Sequence, residues 1–221
     1  MLRNLGTRRR VGDRRRSGDE GWVDPSLIVN RNNLVLFYLP GVPGGDPASC
    51  SEDEDNCIKS IRSAKTGNVL FPDFTKVPGS RVDALIGNSK ALLRGFRDPD
   101  ILALEDGSFR LYVSSGANTL LYVSENLDGE FAIPEGGDKP FFVSEHQGVP
   151  SAIQDVTSKE IWLYVHSHVS GTGTVIRRAV GSEIETHRPE DFETVLEKNI
   201  FKNGQFADGE GVFSPSIVLW E

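Results

Sequence analysis

RDPDILAL, running from Arg97 to Leu104, places a proline and an acidic residue directly ahead of an apolar run, the way a buried strand begins. The same device returns as VDPSLIV at Val23 to Val29, as VPSAI at Val149 to Ile153 and as SPSIVLW at Ser214 to Trp220. Each copy sets a proline, then a small or acidic residue, then a β-branched or aliphatic stretch. The 221-residue chain is a repeat protein.

What lies downstream of each copy repeats as well. About ten residues after Pro25, Pro99 and Pro150 come LVLFYL from Leu34, FRLYVSS from Phe109 and IWLYVHS from Ile161. Turn formers separate the first and second runs, Asn32-Asn33 and Asp106-Gly107 among them, and such dipeptides close two-residue hairpins. A third run follows in each copy: IRSAKTG from Ile61, LLYVSENLDG from Leu120 and VIRRAVGSEI from Val175. A weaker fourth comes next, VLFPDF from Val69, EFAIPE from Glu130 and DFETVLE from Asp191. Four short antiparallel strands per unit, recurring at roughly 50 to 75 residues, predict the blades of an all-β propeller. No long stretch carries the 3.6-residue period of a helix. A β-sandwich also strings short strands between turns, but it leaves unexplained why the proline-led run and its aromatic second strand return together.

The units predict a leader over 1–21 and a propeller domain over 22–221, with blades at about 22–93, 94–146 and 147–207 and the first strand of a fourth at 208–221. Propellers typically close with about four to eight blades, so the expectation is an incomplete ring, a truncated product or fragment of a five-bladed type. Two readings stand for Met1 to Glu20, where Arg8 to Arg10 and Arg14 to Arg16 sit among Gly, Asp and Ser. One is a basic arm for nucleic acid or membrane surfaces, the other a disordered leader.

Composition narrows the partners. Hydrophobic residues make up 38% and charged residues 25%, and no apolar run approaches the roughly 18 residues of a membrane span. A formal charge of -8 argues against a polyanion as main partner, so neither nucleic acid nor membrane is expected, whereas neutral sugars are indifferent to it. Cys50 and Cys57 frame the acidic loop CSEDEDNC, which suits a disulfide in a secreted or periplasmic protein. Yet no apolar signal-peptide core follows Met1, so reduced thiols in the cytosol remain the other reading. Two Cys without partners make a poor zinc site, and Glu52, Asp53, Glu54 and Asp55 lack the spaced ligands of a calcium loop, so no metal and no cofactor is expected.

The candidate chemistry sits where the repeats begin, because the first strand of each blade lines a propeller's central channel. Asp24 and Asp98 occupy the same repeat position, one residue before Pro25 and Pro99. Two carboxylates facing one pocket are the minimum equipment for cleaving a glycosidic bond. Asp100 is a further inward candidate or a turn cap.

Through Val23-Asp24-Pro25-Ser26, through Arg97-Asp98-Pro99-Asp100 with its DGSFRLYVSSG continuation, and through the SENLDGEF turn from Ser124, the chain resembles the five-bladed β-propeller glycosidases: arabinanases, β-xylosidases, invertases and levansucrases. The resemblance spans roughly Trp22 to Glu221 and implies a carbohydrate substrate. It implies that Asp24 is general base or nucleophile, that Asp98 stabilises the transition state or tunes the acid, and that Arg97 holds Asp98 ionised. The family's general acid, a Glu two residues ahead of the third proline, is here Gly148, preceded by Gln147. Glu145 in the same loop and Glu210 ahead of the fourth motif are the substitutes at hand.

Other residues complete the candidate set. Trp22 stands next to the first motif, where its ring can stack a sugar, and His146 borders the pocket. His166 and His168 alternate on one strand, share a face, and lack a third metal ligand. No phosphate-binding loop opens a helix, and Ser26, Ser151 and Ser216 lack the turn of a hydrolase nucleophile. Two functions follow: a glycoside hydrolase, or a non-catalytic propeller that binds a glycan or a protein partner.

Overall fold

The computed structural model describes residues 22–40, 60–70, 72–83, 96–134, 141–144, 146–169, 173–182, 187–196 and 215–216. These form three sheets in chain order. The first holds β1 (Trp22–Asn30), β2 (Asn33–Pro40), β3 (Ser60–Thr66) and β4 (Thr75–Lys76), with β5 (Val82–Asp83) also paired to β3. The second holds β6 (Phe96–Ala103), β7 (Phe109–Ser115), β8 (Asn118–Ser124) and β9 (Phe142–Ser144). The third holds β10 (Gln147–Gln154), β11 (Ile161–Val169), β12 (Gly173–Gly181) and β13 (Glu193–Leu196). Every pairing is antiparallel between sequence neighbours, apart from the β3–β5 pair. Each sheet is therefore a propeller blade, and among the described residues there is no α-helix; a 3-10 turn spans Pro189–Asp191.

The blades stack face to face because the strands of the middle blade alternate between two cores. Ile101, Leu111, Val113, Leu120 and Tyr122 pack toward Val35, Phe37, Leu39 and Ile61 of the first blade. Their sequence neighbours Leu102, Tyr112 and Leu121 pack toward Ile161, Leu163 and Val165 of the third. This period of two is the pleat of a strand read onto two interfaces. It explains why β7 is buried at every position, whereas β11 alternates between buried and half-buried ones.

The turns and last strands depart from expectation. The first hairpin closes on Arg31-Asn32, not Asn32-Asn33, because Asn33 already pairs with Asn30 and Arg31 takes the positive φ of 55°. Asp106-Gly107 lies in a wider loop closed by Leu104 N–H donating to Ser108 O at 2.9 Å, with Gly107 at φ 88°. A glycine in the left-handed region at the end of a three-residue hairpin loop is a common solution. The described residues of VLFPDF, 69–70 and 72–74, are not strand; the fourth strand of the first blade is β4, just after them. In the second blade the fourth strand is β9, while EFAIPE contributes one bridge, Val123 to Ala132. That segment works between blades instead. Phe131 is fully buried, stands edge-on to Phe37 at 5.6 Å, and its N–H donates to Arg81 O at 2.7 Å.

Candidate active site

The three described proline motifs share one backbone distortion. The β1–β2, β6–β7 and β10–β11 registers each slip once, between Val23 and Ser26, between Arg97 and Asp100, and between Gly148 and Ser151. These are bulges, and inside each the residue before the proline is left-handed: Asp24 at φ 48°, Asp98 at 45° and Val149 at 51°. Proline pushes its predecessor toward extended backbone, and L-residues avoid positive φ, so the strain is deliberate and repeated. Bulges re-aim side chains next to functional sites.

These motifs converge on one cavity of about 210 Å³, lined by Asp24, Ser26, Asp98, Asp100 and Ser151 with the repeat prolines, and closed by Pro215 and Ser216 of the fourth motif. Residues 191 positions apart in sequence, Asp24 and Pro215, thus share one wall. The carboxylate of Asp24 reaches the next blade, where Asp98 N–H donates to its Oδ2 at 3.5 Å. Asp98 lies next to Ser114 of β7, whose hydroxyl bonds its carboxyl. Ser114 Oγ also accepts from Val149 N–H at 2.7 Å, so a single buried hydroxyl ties the left-handed residue of the third blade to the carboxylate of the second.

Burial raises the Asp98 carboxyl above the ordinary carboxylate range, and the Asp24 charge raises it further. Ser114 and, last, Arg97 pull it down. Arg97 thus acts in the expected direction, as the smallest of the four influences on Asp98. Asp100 is half-buried at the centre of the three motifs, with its carboxyl pushed up to about 7 by desolvation. It accepts from Ala152 N–H of the third blade at 2.7 Å and from Ser26 Oγ of the first at 3.5 Å. It is a bridge between blades as well as a cavity wall, where the sequence offers an inward residue or a turn cap.

The remaining candidates fall elsewhere. Trp22 does not line the cavity: its ring stacks on Tyr38 at 4.8 Å and meets Phe74 edge-on at 6.3 Å. His146 is exposed and held by its backbone, its N–H donating to Asn118 Oδ1 at 3.0 Å and its carbonyl accepting from Ser167 Oγ at 3.3 Å. His166 and His168 do share the less buried face of β11, and burial lowers the His166 pKa. A side chain at Gly148 would place its first carbon 3.4 Å from Ser114 Oγ, ordinary van der Waals contact, so the position has room for a Cβ. Glu145, Glu210, the Cys50–Cys57 loop and the leader over 1–21 lie outside the described residues.

No protein-family model matches the sequence. No curated protein matches it at the level of sequence. Solved structures do resemble it. One is a β-xylosidase/α-arabinofuranosidase of glycoside hydrolase family 43 from a compost microbial metagenome, in complex with xylotriose and calcium-free, at 15% identity and TM-score 0.59 over 80% of this chain and 59% of that one. Another is the β-xylosidase RS223, at 17% identity and TM-score 0.59 over 80% and 60% of the two chains. A family-43 enzyme from Xanthomonas citri, complexed with xylotriose, is 13% identical with TM-score 0.56 over 80% and 55%. The chain thus spans about 60% of the length of the first two, and the fold of its three blades is that of the β-propeller glycoside hydrolases.

Proposed function

We propose that this chain acts on carbohydrate as a glycoside hydrolase, cleaving a glycosidic bond in an oligo- or polysaccharide held at the mouth of the three motifs. The observation that carries this reading is the convergence of Asp24, Asp98 and Asp100 on one cavity through a strained bulge repeated in each blade. Glycoside cleavage passes through an oxocarbenium-like state, and carboxylates on the two flanks of the sugar supply the negative charge and the proton traffic it needs. Asp24 is the base that deprotonates water or the nucleophile that attacks the anomeric carbon. Asp98 stands beside it, hydrogen-bonded by Ser114. The glycoside hydrolases of the same fold, two of them solved with xylotriose, support a xylo- or arabino-configured sugar.

Sugar release from arabino-, xylo- and fructo-oligosaccharides tests this. Asp24→Asn is expected to lose at least about 100-fold in turnover with the unfolding transition intact. Unchanged hydrolysis in that variant removes Asp24 from the reaction. A second reading, a non-catalytic propeller that binds glycan, is favoured by the third motif, where Gly148 and Val149 carry no carboxylate. A wild-type chain whose unfolding midpoint rises with one oligosaccharide while no sugar is released selects that reading.

A further inference from the structure

Neighbouring blades are joined by a contact that recurs at the residue after the repeat proline. Ser26 Oγ accepts from Ile101 N–H at 3.2 Å, and Asp100 Oδ2 accepts from Ala152 N–H at 2.7 Å. Ser26 and Asp100 hold the same place in the repeat, one residue past Pro25 and Pro99, and Ile101 and Ala152 hold the next. The two remaining copies of that place, Ser151 and Ser216, also line the cavity, and both are serine.

Three of four copies therefore carry a neutral hydroxyl, and in the first blade that hydroxyl makes the inter-blade bond unaided. A carboxyl at the second copy does nothing for the bond that serine cannot do, and burying it carries a desolvation cost that serine avoids. Its Oδ2 is spent on Ala152, whereas among the described residues Oδ1 has the long 3.5 Å approach of Ser26 Oγ, and Asp100 lines the cavity. Asp98 likewise receives a hydroxyl, that of Ser114, but it stands directly beside Asp24, whose Oδ2 accepts from its N–H.

We propose that Asp100 is the proton donor of the site, delivering the hydrogen on its Oδ1 to the leaving glycosidic oxygen. This rests on the hydrolase reading above. In the step, the bond from the anomeric carbon to the leaving oxygen breaks and its electron pair stays on that oxygen. The Asp100 hydrogen is transferred to the same oxygen, releasing an alcohol. Water, deprotonated by Asp24 in the same step, supplies the new bond to carbon. Asp100 ends ionised and Asp24 protonated, and exchange with solvent restores both.

The surroundings keep the acid form populated near neutral pH. Desolvation is the first cause of the shift to about 7, and the hydrogen bonds from Ala152 and Ser26 oppose it. Among the described residues, the ionisable groups facing Asp100 are Asp24 on β1 and Asp98 on β6, which line the same cavity, and Tyr112 directly across on β7. The β10 residues lining the cavity, Pro150 and Ser151, carry no charge.

The test uses Asp100→Ser, which installs the residue of the other three copies and so preserves the inter-blade bond, alongside Asp100→Asn. Hydrolysis is measured on an oligosaccharide, whose leaving alkoxide needs a proton, and on the dinitrophenyl glycoside of the same sugar, whose leaving group does not. Carbon NMR titration of the aspartate carboxyls runs in parallel. The expected result is a 100- to 10,000-fold loss on the oligosaccharide, less than about tenfold on the aryl glycoside, and disappearance of one carboxyl titrating near neutrality. Equal losses on both substrates, no loss on either, or an Asp100 carboxyl titrating in the ordinary range overturn the assignment. A wild-type chain that cleaves neither substrate overturns the hydrolase reading itself, and the donor with it.

Discussion

The second and third proline motifs have one backbone and two chemistries. Both carry a bulge at the same register, both hold the residue before proline left-handed, at φ 45° and 51°, and both face the same cavity. Yet Arg97-Asp98-Pro99-Asp100 brings two carboxylates to it, and Gly148-Val149-Pro150-Ser151 brings none. The third blade shows that the fold forms this distortion without any charge. The carboxylates of the second are therefore not needed for the bulge itself.

If that comparison holds, stability lives in the apolar faces between blades and not in the motifs. The largest expected effect is accordingly at Phe131, buried between the first two blades against Phe37. Phe131→Ala should cost about 3 to 5 kcal/mol in denaturant unfolding. Asp24→Asn should cost about 1 kcal/mol or less, since the bond it weakens is long, at 3.5 Å. Equal losses from the two would break the comparison.

Phe131 also marks where the sequence stops being legible. The repeated prolines and the aromatic second strands announce three blades, because strand order within a blade is local. Which apolar segment becomes a fourth strand is not: EFAIPE and FVS are equally apolar, and the choice is made by Arg81 and Phe37 of another blade, which capture Phe131. The site divides the same way. Asp24 and Asp98 stand out by repeat position, but Ser114 and the Ser26–Asp100–Ala152 contacts join residues 35 to 75 apart, a separation that no local pattern reports. The left-handed residues are hidden for a further reason, since the sequence rule before proline points to extended backbone.

The charged motif should also leave a mark on pH dependence. Asp100 in the folded chain holds its proton to about pH 7, against 3.8 for the ordinary carboxyl, so the native state binds more protons than the unfolded one between those values. Stability then falls as pH rises through that window and is flat below it. Asp98, raised by the same cause, adds a slope of the same sign. A three-unit shift corresponds to up to about 4 kcal/mol, and Asp100→Ser should flatten the curve of unfolding free energy against pH between about 4 and 7. A curve of unchanged slope in that variant would return Asp100 to the status of a neutral bridge.

The smallest effect tests the shared backbone directly. A left-handed L-residue costs roughly 1 to 2 kcal/mol, most for a β-branched side chain and least for Asn or Asp, whose short polar groups tolerate it. Val149 therefore bears more of this strain than Asp98, although their φ angles are alike. Exchange in the two directions should move stability in opposite senses: Val149→Asn gains about 1 kcal/mol, and Asp98→Val loses about as much. The backbone N–H of residue 149 keeps its bond to Ser114 in the first variant, so that gain reads the conformational preference with the inter-blade contact held constant. Denaturant midpoints at a low and a high pH separate the charge lost at Asp98 from the strain, because the charge contribution varies with pH and the conformational one does not. A loss at Val149→Asn at both pH values would mean that the apolar packing of Val149, and not its backbone, sets the third motif apart.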